Sequence, residues 1–211
     1  MMWVKICGIT SEKDAEIVGA FSPDAIGLVF YPPSPRHVTG EMARSIAGVL
    51  PDRIRKVGVF VDMEWAEVER LAGKVPLDMI QWHGEPLTDD LKTKLSHLEI
   101  PWIEVRKITS GMTPSSLRLN PAVGASYLLV EGASSRSPGG NAHVWDYPLI
   151  REASCPVPLI LSGGLNDGNV YDAMVAVRPF GVDVSSGVEA SPGKKSYDRL
   201  SRFFSEVKRY G

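Results

Sequence analysis

Cysteine, long apolar runs and an excess of charge are all scarce in this sequence. Cys7 and Cys155 are its only cysteines, which is too few for a disulfide framework and gives no metal-ligand spacing. We therefore expect two free thiols. The longest apolar runs, residues 24–30 and 156–161, have the length of a strand rather than of a membrane span, and the N-terminus shows no signal-peptide pattern. These absences predict a cytoplasmic protein with no membrane partner.

Charge is nearly balanced and spread along the chain. The sequence has 23 basic and 25 acidic residues, for a formal net charge of −2, and the basic residues form no stripe. This distribution argues against a nucleic-acid partner. With 211 residues, of which 44% are hydrophobic, the chain is long enough for one buried core and short for two domains. We expect a single domain over residues 1–211.

Apolar strand-like segments alternate with amphipathic helical segments about eight times along the chain. The strand candidates are residues 4–7, 25–30, 56–60, 79–83, 102–108, 127–130, 159–162 and 182–185. Helical periodicity covers residues 39–50, 64–72, 169–177 and 197–207, whereas residues 110–121 make a poor helix. This alternation predicts a parallel sheet with right-handed crossovers, and its number of units predicts a closed (β/α)8 barrel.

An open doubly wound sheet is the alternative fold. It is less favoured because such sheets more often carry a glycine-rich nucleotide loop after the first strand, and "KICGIT" lacks that pattern. A barrel places its chemistry at the C-terminal ends of the strands and often holds phosphate in the loops after strands 7 and 8. Polar, reactive and glycine residues gather at these ends of the predicted strands.

Six blocks of sequence carry a family resemblance that runs from the first strand to the last helix. They are "VKICGIT", "GLVFYPPSPRHV", "VGVFVD", "IQWHGE", "LSGGLN" and "RPFGVDVSSGVEASPGKK". In this order and spacing they closely resemble phosphoribosylanthranilate isomerase of tryptophan biosynthesis. The resemblance implies a (β/α)8 barrel that converts N-(5-phosphoribosyl)anthranilate into 1-(2-carboxyphenylamino)-1-deoxyribulose 5-phosphate by an Amadori rearrangement. It also implies that no cofactor or metal takes part.

The resemblance assigns the general base to Cys7, which ends the first predicted strand. A thiolate suits this task because a helix N-terminus or a nearby cation can lower the pKa of a thiol towards neutrality. Thr10 or Ser11 is the expected cap of the helix that follows. The alternative for Cys7 is a small buried residue with no chemistry, and that interpretation is kept for Cys155, which lies before strand 7 at the opposite end of the barrel.

Arg36, in "SPRHV" after strand 2, matches the arginine with which the family binds the anthranilate carboxylate. A planar guanidinium fork suits a planar carboxylate. An isolated arginine in a loop would otherwise be interpreted as a solvated surface charge.

Phosphate binding is predicted in the loops after strands 7 and 8. Gly163 and Gly164, with Ser185, Ser186 and Gly187, offer unobstructed backbone N–H groups and two hydroxyl donors. A single glycine pair would only indicate a turn, but two such loops on adjacent strands favour a phosphate site.

Asp183, within strand 8, matches a family aspartate that contacts the sugar hydroxyls. The alternative is that Asp183 forms an ion pair inside the barrel.

The chain departs from the family at the end of strand 6, where the general acid is usually an aspartate. Here the sequence is "YLLVEGASSRSPGGN", and alignment from the strand puts Glu131 in the aspartate's place. The longer side chain moves the carboxyl by roughly a bond length, and a misplacement of about 1 Å can cost on the order of a hundredfold in rate. Gly132 and the loop before Gly139 and Gly140 could compensate. Asp146, a more plausible helix cap, is the other candidate acid.

Residues at the end of strand 4 are less informative. Alternation sends Gln81 and His83 to one side of the sheet and Trp82 to the other, so Trp82 should pack against a helix. His83 is either a residue at the barrel mouth or a packed neighbour of Gln81, and it receives no catalytic role.

Two rival functions remain open. A related phosphosugar barrel could perform another Amadori-type isomerisation, although the known counterpart in histidine biosynthesis carries an aspartate where this chain has Cys7. A barrel could also keep phosphosugar affinity and lose catalysis through the change to Glu131. In each case the expected partner is a small phosphosugar, and the chain is expected to be a monomer or a homodimer.

Overall fold

Parallel strands follow one another in chain order around a closed barrel, in which β8 pairs with β1. The computed structural model describes residues 2–84, 87–108, 119–132, 148–151 and 154–211. The barrel strands are β1 Trp3–Cys7, β2 Ala25–Val29, β3 Arg55–Phe60, β4 Met79–Trp82, β5 Trp102–Ile108, β6 Tyr127–Gly132, β7 Leu159–Ser162 and β8 Gly181–Val184. The predicted (β/α)8 barrel is confirmed, and the open sheet is excluded.

Helices follow most of the strands and cover the outside of the barrel. They are α1 Glu12–Gly19, α2 Gly40–Gly48, α3 Trp65–Ala72, α4 Asp89–His97, α5 Pro148–Arg151, α6 Val170–Val177 and α7 Tyr197–Tyr210. Ser11, rather than Thr10, caps α1 by accepting a hydrogen bond from the Asp14 backbone N–H. Thr10 instead donates to the carbonyl of Gly193. None of the helices among the described residues is long and apolar enough to cross a membrane.

The barrel interior changes from apolar to polar towards the mouth. Its lower layer is a buried apolar cluster of Trp3, Ala25, Val57, Met79, Ile103, Leu129 and Ile160. Two residues beyond Trp3 and Met79 on the same strands stand the buried polar side chains of Lys5 and Gln81, and β8 contributes a third, Asp183. Because side chains alternate along a strand, Trp82 faces outward and packs in the apolar layer shared with the helices, as predicted.

A short excursion after β8 was not predicted. A 3-10 turn over Ser186–Val188 leads into a small antiparallel hairpin, formed by β9 Glu189–Ser191 and β10 Lys194–Lys195, before α7 begins. This hairpin brings Lys195 into contact with the carbonyls of Cys7 and Ser185, at the ends of β1 and β8.

Some predictions fall on parts of the chain that the structure does not describe. Most of the poor helix over residues 110–121 lies outside the described residues, and so do Asp146, Gly139 and Gly140. The expectation of one domain over residues 1–211 therefore stays a prediction.

Candidate active site

The C-terminal ends of the strands surround one cavity, and the residues predicted for the site gather there. The cavity is lined by Cys7, Arg36, Glu131, Gly163, Gly164, Asp183, Ser185 and Ser186, together with Gln81, His83 and Ser162 among others. Of the predicted site residues only Gly187 is absent from the lining. A Cβ on Gly187 would come 1.9 Å from the carbonyl oxygen of Leu165, so Gly187 allows the loops after β7 and β8 to pack together.

Cys7 ends β1 with its side chain directed into the cavity. It packs over β2 so closely that a Cβ on Gly27 would lie 2.7 Å from the Cys7 Sγ. The next residue, Gly8, has a φ of +76°, and a Cβ there would come 2.5 Å from the Cδ of Arg36. The glycines on either side of the thiol therefore let β1 approach both β2 and Arg36.

The electrostatic setting of Cys7 corrects one expectation. Burial raises the pKa of the Cys7 thiol, and the nearby ammonium groups of Lys5 and Lys195 oppose this effect without overcoming it. We expected the thiol pKa to be lowered towards neutrality at the start of α1. The side chain of Cys7 is half-buried in the cavity wall, and desolvation of the thiolate outweighs the cations.

Asp183 forms the ion pair that was its alternative interpretation, and it also lines the cavity. Its Oδ1 lies 2.8 Å from the Nζ of Lys5, which is fully buried in the barrel. The Ser162 hydroxyl donates to Asp183 Oδ2 at 3.5 Å. Burial lowers the pKa of Lys5, but the charges of Asp183 and Cys7 reverse this, and the net pKa is raised. Lys5 thus holds a positive charge below the thiol.

Arg36 is buried rather than a solvated surface charge. Its Nε and Nη2 donate to the two oxygens of Glu189 at 2.8 and 2.6 Å, and Lys195 donates to the same carboxylate at 2.8 Å. Burial would raise the pKa of Glu189, but the hydrogen bonds from Arg36 and the charge of Lys195 lower it. The carboxylate is therefore ionised between two cations.

Glu131 reaches the cavity because β6 continues two residues beyond its predicted end. The register pairs Glu131 with Ser162 on β7, and its side chain points into the barrel. Its Oε2 lies 2.9 Å from the Nε2 of His83. Glu131 is therefore a cavity residue, and not the exposed carboxylate at a strand end that was the alternative.

The loops after β7 and β8 have the backbone shape expected of an anion site. Gly163 and Gly164 have φ values of +92° and +70°, a region that glycine adopts without strain. Asn166 and Asn169 both donate to the Gly164 carbonyl, at 3.2 and 3.0 Å, and so satisfy that oxygen within the loop. The 3-10 turn begins at Ser186, and the first N–H groups of such a turn have no partner within it.

Comparison with known proteins identifies the family. The sequence model of N-(5'-phosphoribosyl)anthranilate isomerase matches residues 4–206. The chain belongs to this isomerase family. The isomerase of Acidithiobacillus ferrooxidans is 39% identical over 99% of this chain and 98% of its own length. The isomerase of Nitrosomonas europaea is 37% identical over 97% of this chain and 94% of its own. The predicted family and enzyme class are confirmed.

Solved structures of the isomerase family share the whole barrel. The isomerase of Thermus thermophilus has a TM-score of 0.86 and 30% identity, and each chain is fully covered. That of Thermotoga maritima has a TM-score of 0.83 and 35% identity, covering 99% of this chain and all of the other. A further isomerase structure, at TM-score 0.81 and 35% identity with the same coverage, contains reduced 1-(o-carboxyphenylamino)-1-deoxyribulose 5-phosphate.

Sequence reasoning missed several residues in or beside this cavity. The sequence assigns His83 no role and leaves open whether it lies at the barrel mouth or packs beside Gln81; it lines the cavity. Lys5 was not considered, and its signal was a lysine two residues before Cys7 on the same face of a buried strand. Glu189 and Lys195 lie in a quoted motif, but nothing local in the sequence indicates that they contact Arg36.

Proposed function

We propose that this chain converts N-(5-phosphoribosyl)anthranilate into 1-(2-carboxyphenylamino)-1-deoxyribulose 5-phosphate with Cys7 as general base and Glu131 as general acid. The observation that carries the proposal is the shared cavity, in which a thiol, a carboxyl group, an arginine and two glycine loops face one another. A small phosphosugar also fits the family, since one isomerase structure holds a reduced form of the product.

The proton transfers follow from the positions of the two groups. Glu131, protonated, gives its proton to the furanose ring oxygen, and the C1–O bond breaks to leave a Schiff base between C1 and the anthranilate nitrogen. The Cys7 thiolate then takes the proton from C2, and the electron pair of that C–H bond forms the enolamine. Return of a proton to C1 and loss of the C2 hydroxyl proton give the ketone, so no atom is gained or lost overall.

Because the pKa of Cys7 is raised, the thiolate must be stabilised by nearby cations. At neutral pH the half-buried Cys7 thiol of the free protein is mostly protonated, because desolvation favours the neutral form and raises its pKa. Lys5 and Lys195 lower the cost of forming the thiolate, and both are buried. We therefore propose that the active form is a minority thiolate whose fraction increases with pH.

Arg36 is proposed to bind the anthranilate carboxylate with the donors that Glu189 leaves available. Guanidinium has five N–H donors, and Glu189 engages Nε and one donor on Nη2. Among the described residues Nη1 has no hydrogen-bond partner. The edge formed by Nη1 and Nη2 can therefore donate two hydrogen bonds to a second carboxylate.

The opposite side of the cavity is proposed to hold the phosphate. Gly163, Gly164, Ser185 and Ser186 line this side, and backbone N–H groups with serine hydroxyls bind phosphate without a lysine. Gly187 is proposed to act by letting the two loops pack together. Asp183, fixed by Lys5, is proposed to accept hydrogen bonds from the sugar hydroxyls.

Turnover of N-(5-phosphoribosyl)anthranilate tests the proposal directly. Phosphoribosylanthranilate is generated in situ, and loss of its fluorescence is followed with the purified protein, with Cys7→Ser as the matched control. Loss that depends on the wild-type protein supports the isomerase. No loss at high protein concentration, together with binding of the reduced product, would instead identify a barrel that binds the phosphosugar without catalysis.

The oligomeric state is proposed to be a monomer or a homodimer. The isomerase of Thermotoga maritima is described as dimeric, and monomers of it have been generated. Light scattering of the purified chain measures its mass and decides between the two.

A further inference from the structure

One buried ammonium group connects three parts of the active site. Lys195 Nζ donates to the backbone carbonyl of Cys7 at 2.6 Å, to that of Ser185 at 3.2 Å and to Glu189 Oε1 at 2.8 Å. An ammonium has three protons, and each has an acceptor here. Lys195 therefore links the end of β1, which carries the thiol, to the end of β8, which begins the proposed phosphate loop.

Glu189 extends this connection to Arg36. Its two oxygens accept from Arg36 Nε and Nη2, and one of them also accepts from Lys195. Such a bidentate contact fixes the plane of the guanidinium as well as its position. The opposite edge of Arg36 is thereby directed towards the cavity that Arg36 lines.

The charges of this cluster do not balance among themselves. Arg36 and Lys195 are cations, Glu189 is the anion that both contact, and all three side chains are buried. The remaining positive charge lies where Arg36 meets the cavity. An anionic group of the substrate at that edge would complete the pairing, and desolvated charges gain most from a partner of opposite sign.

Fold stability alone does not account for a buried cluster of this kind. Removing charges from water is costly, and well-packed apolar residues often stabilise a fold as well as a buried ion pair does. The position of the cluster, between the thiol strand and the phosphate loop, indicates a role in the geometry of the site.

We propose that Glu189 and Lys195 are positioning residues for recognition of the substrate carboxylate. Glu189 orients Arg36, and Lys195 fixes the position of Glu189 relative to Cys7 and Ser185. The aromatic end of the substrate is thereby held at a fixed distance from the base. The inference rests on the proposed role of Arg36 in binding that carboxylate.

The experiment compares two ligands in each variant. One is the reduced product, which carries the ring carboxylate, and the other is the same compound without the carboxyl group. Calorimetry gives both dissociation constants for the wild type, Glu189→Gln, Arg36→Ala and the double variant. The ratio of the two dissociation constants measures the preference for the carboxylate. A variant that is partly unfolded affects both constants equally, so partial unfolding does not change the ratio.

Glu189→Gln keeps the side-chain shape but presents an amide that cannot accept from both Arg36 donors. We expect the preference for the carboxylate to fall about tenfold or more, while binding of the compound without it stays within about threefold. The double variant, Arg36→Ala with Glu189→Gln, should lose no more preference for the carboxylate than Arg36→Ala alone. In turnover, the KM of Glu189→Gln should increase more than its kcat decreases.

Two further variants separate positioning from packing. Glu189→Asp keeps the charge on a shorter side chain and should retain part of the preference; it also serves if Glu189→Gln does not fold. Lys194→Met alters the exposed neighbour of Lys195 in β10 and should change the dissociation constant of neither ligand. Lys195→Met should lower the preference as Glu189→Gln does.

The outcomes distinguish the inference from the proposed function. If Arg36→Ala loses the preference and Glu189→Gln keeps it, Arg36 binds the carboxylate without help and the inference is overturned. If Arg36→Ala keeps the preference, the assignment of Arg36 is itself wrong, and the inference fails with it. Equal weakening of both ligands in Glu189→Gln would show a general packing role and would also overturn the inference.

Discussion

His83 Nε2 and Glu131 Oε2 lie 2.9 Å apart across the mouth of the barrel. The two residues come from β4 and β6, on opposite sides of β5, and both side chains line the cavity. A carboxyl group held by an imidazole has a fixed orientation and a neighbour that can exchange a proton with it. The longer glutamate therefore has a defined position, which a shorter acid on the same strand would not reach.

Glu131→Gln removes the transferable proton and keeps the size of the side chain. If Glu131 is the general acid, we expect kcat to fall by ~10² to 10⁴, with the melting temperature nearly unchanged. Steady-state fluorescence kinetics measure the rate. A kcat within a few-fold of the wild type would exclude Glu131, and Asp146→Asn would then be the next variant to test.

Glu131→Asp restores the residue usual in the family but withdraws the carboxyl by one methylene. Because the contact with His83 is made by the glutamate, we expect the aspartate to lose it and kcat to fall by about tenfold or more. His83→Gln is the matched variant from the other side of the contact. An increase in kcat for Glu131→Asp would show that the site has not adapted to glutamate.

Cys7→Ser replaces the thiol by a hydroxyl whose pKa lies far above neutrality. Turnover should fall by ~10² or more, while the reduced product still binds. Titration calorimetry provides the binding control. Cys155→Ser, at the other cysteine, should leave turnover unchanged, and equal activity in Cys7→Ser would remove the base from the mechanism.

The pH dependence of kcat/KM should report the raised pKa of Cys7. Because burial favours the protonated thiol, the thiolate fraction and kcat/KM should increase as pH rises, with an apparent pKa above the ordinary thiol value of about 8.5. The measurement is a pH profile at low substrate concentration. A plateau already reached at neutral pH would contradict a thiol whose pKa is raised by desolvation.

Lys5→Met leaves Asp183 as a buried charge without its ion-pair partner. We expect a loss of about 3–5 kcal/mol in the free energy of unfolding, measured by urea denaturation. Lys5→Met combined with Asp183→Asn removes both charges and should recover much of this loss. No recovery in the double variant would mean that Lys5 contributes through packing rather than through its charge.

Local signals predicted the barrel and the residues at its mouth, but not the contacts between them. Each strand was placed within two residues of its observed ends, because short β-branched runs are bounded by glycine, proline or aspartate. Strand order then put Cys7 and Glu131 at one mouth. The partners of Arg36 could not be predicted in this way, since Glu189 lies 153 residues further along the chain.

The pKa of Cys7 was predicted in the wrong direction for a related reason. The start of α1 is visible in the sequence, and a helix N-terminus favours a thiolate. The amount of protein packed around the sulfur depends on Gly27 of the neighbouring strand, which the Cys7 sulfur overlies, and on the rest of the cavity wall. Desolvation is a property of the assembled barrel, and its effect on the pKa of Cys7 outweighs that of the neighbouring helix start and cations.

The hydrogen bond from Lys195 to the Cys7 carbonyl joins positions separated by 188 residues. During synthesis from the N-terminus, the thiol strand leaves the ribosome long before the ammonium that contacts it. Earlier folding can form βα units from local contacts, but closure of the ring between β8 and β1 requires a long-range contact. Nascent chains released after β8 but before residue 195 contain every strand of the ring and still lack the ammonium that links Cys7, Ser185 and Glu189, so the site is complete only once Lys195 has been added.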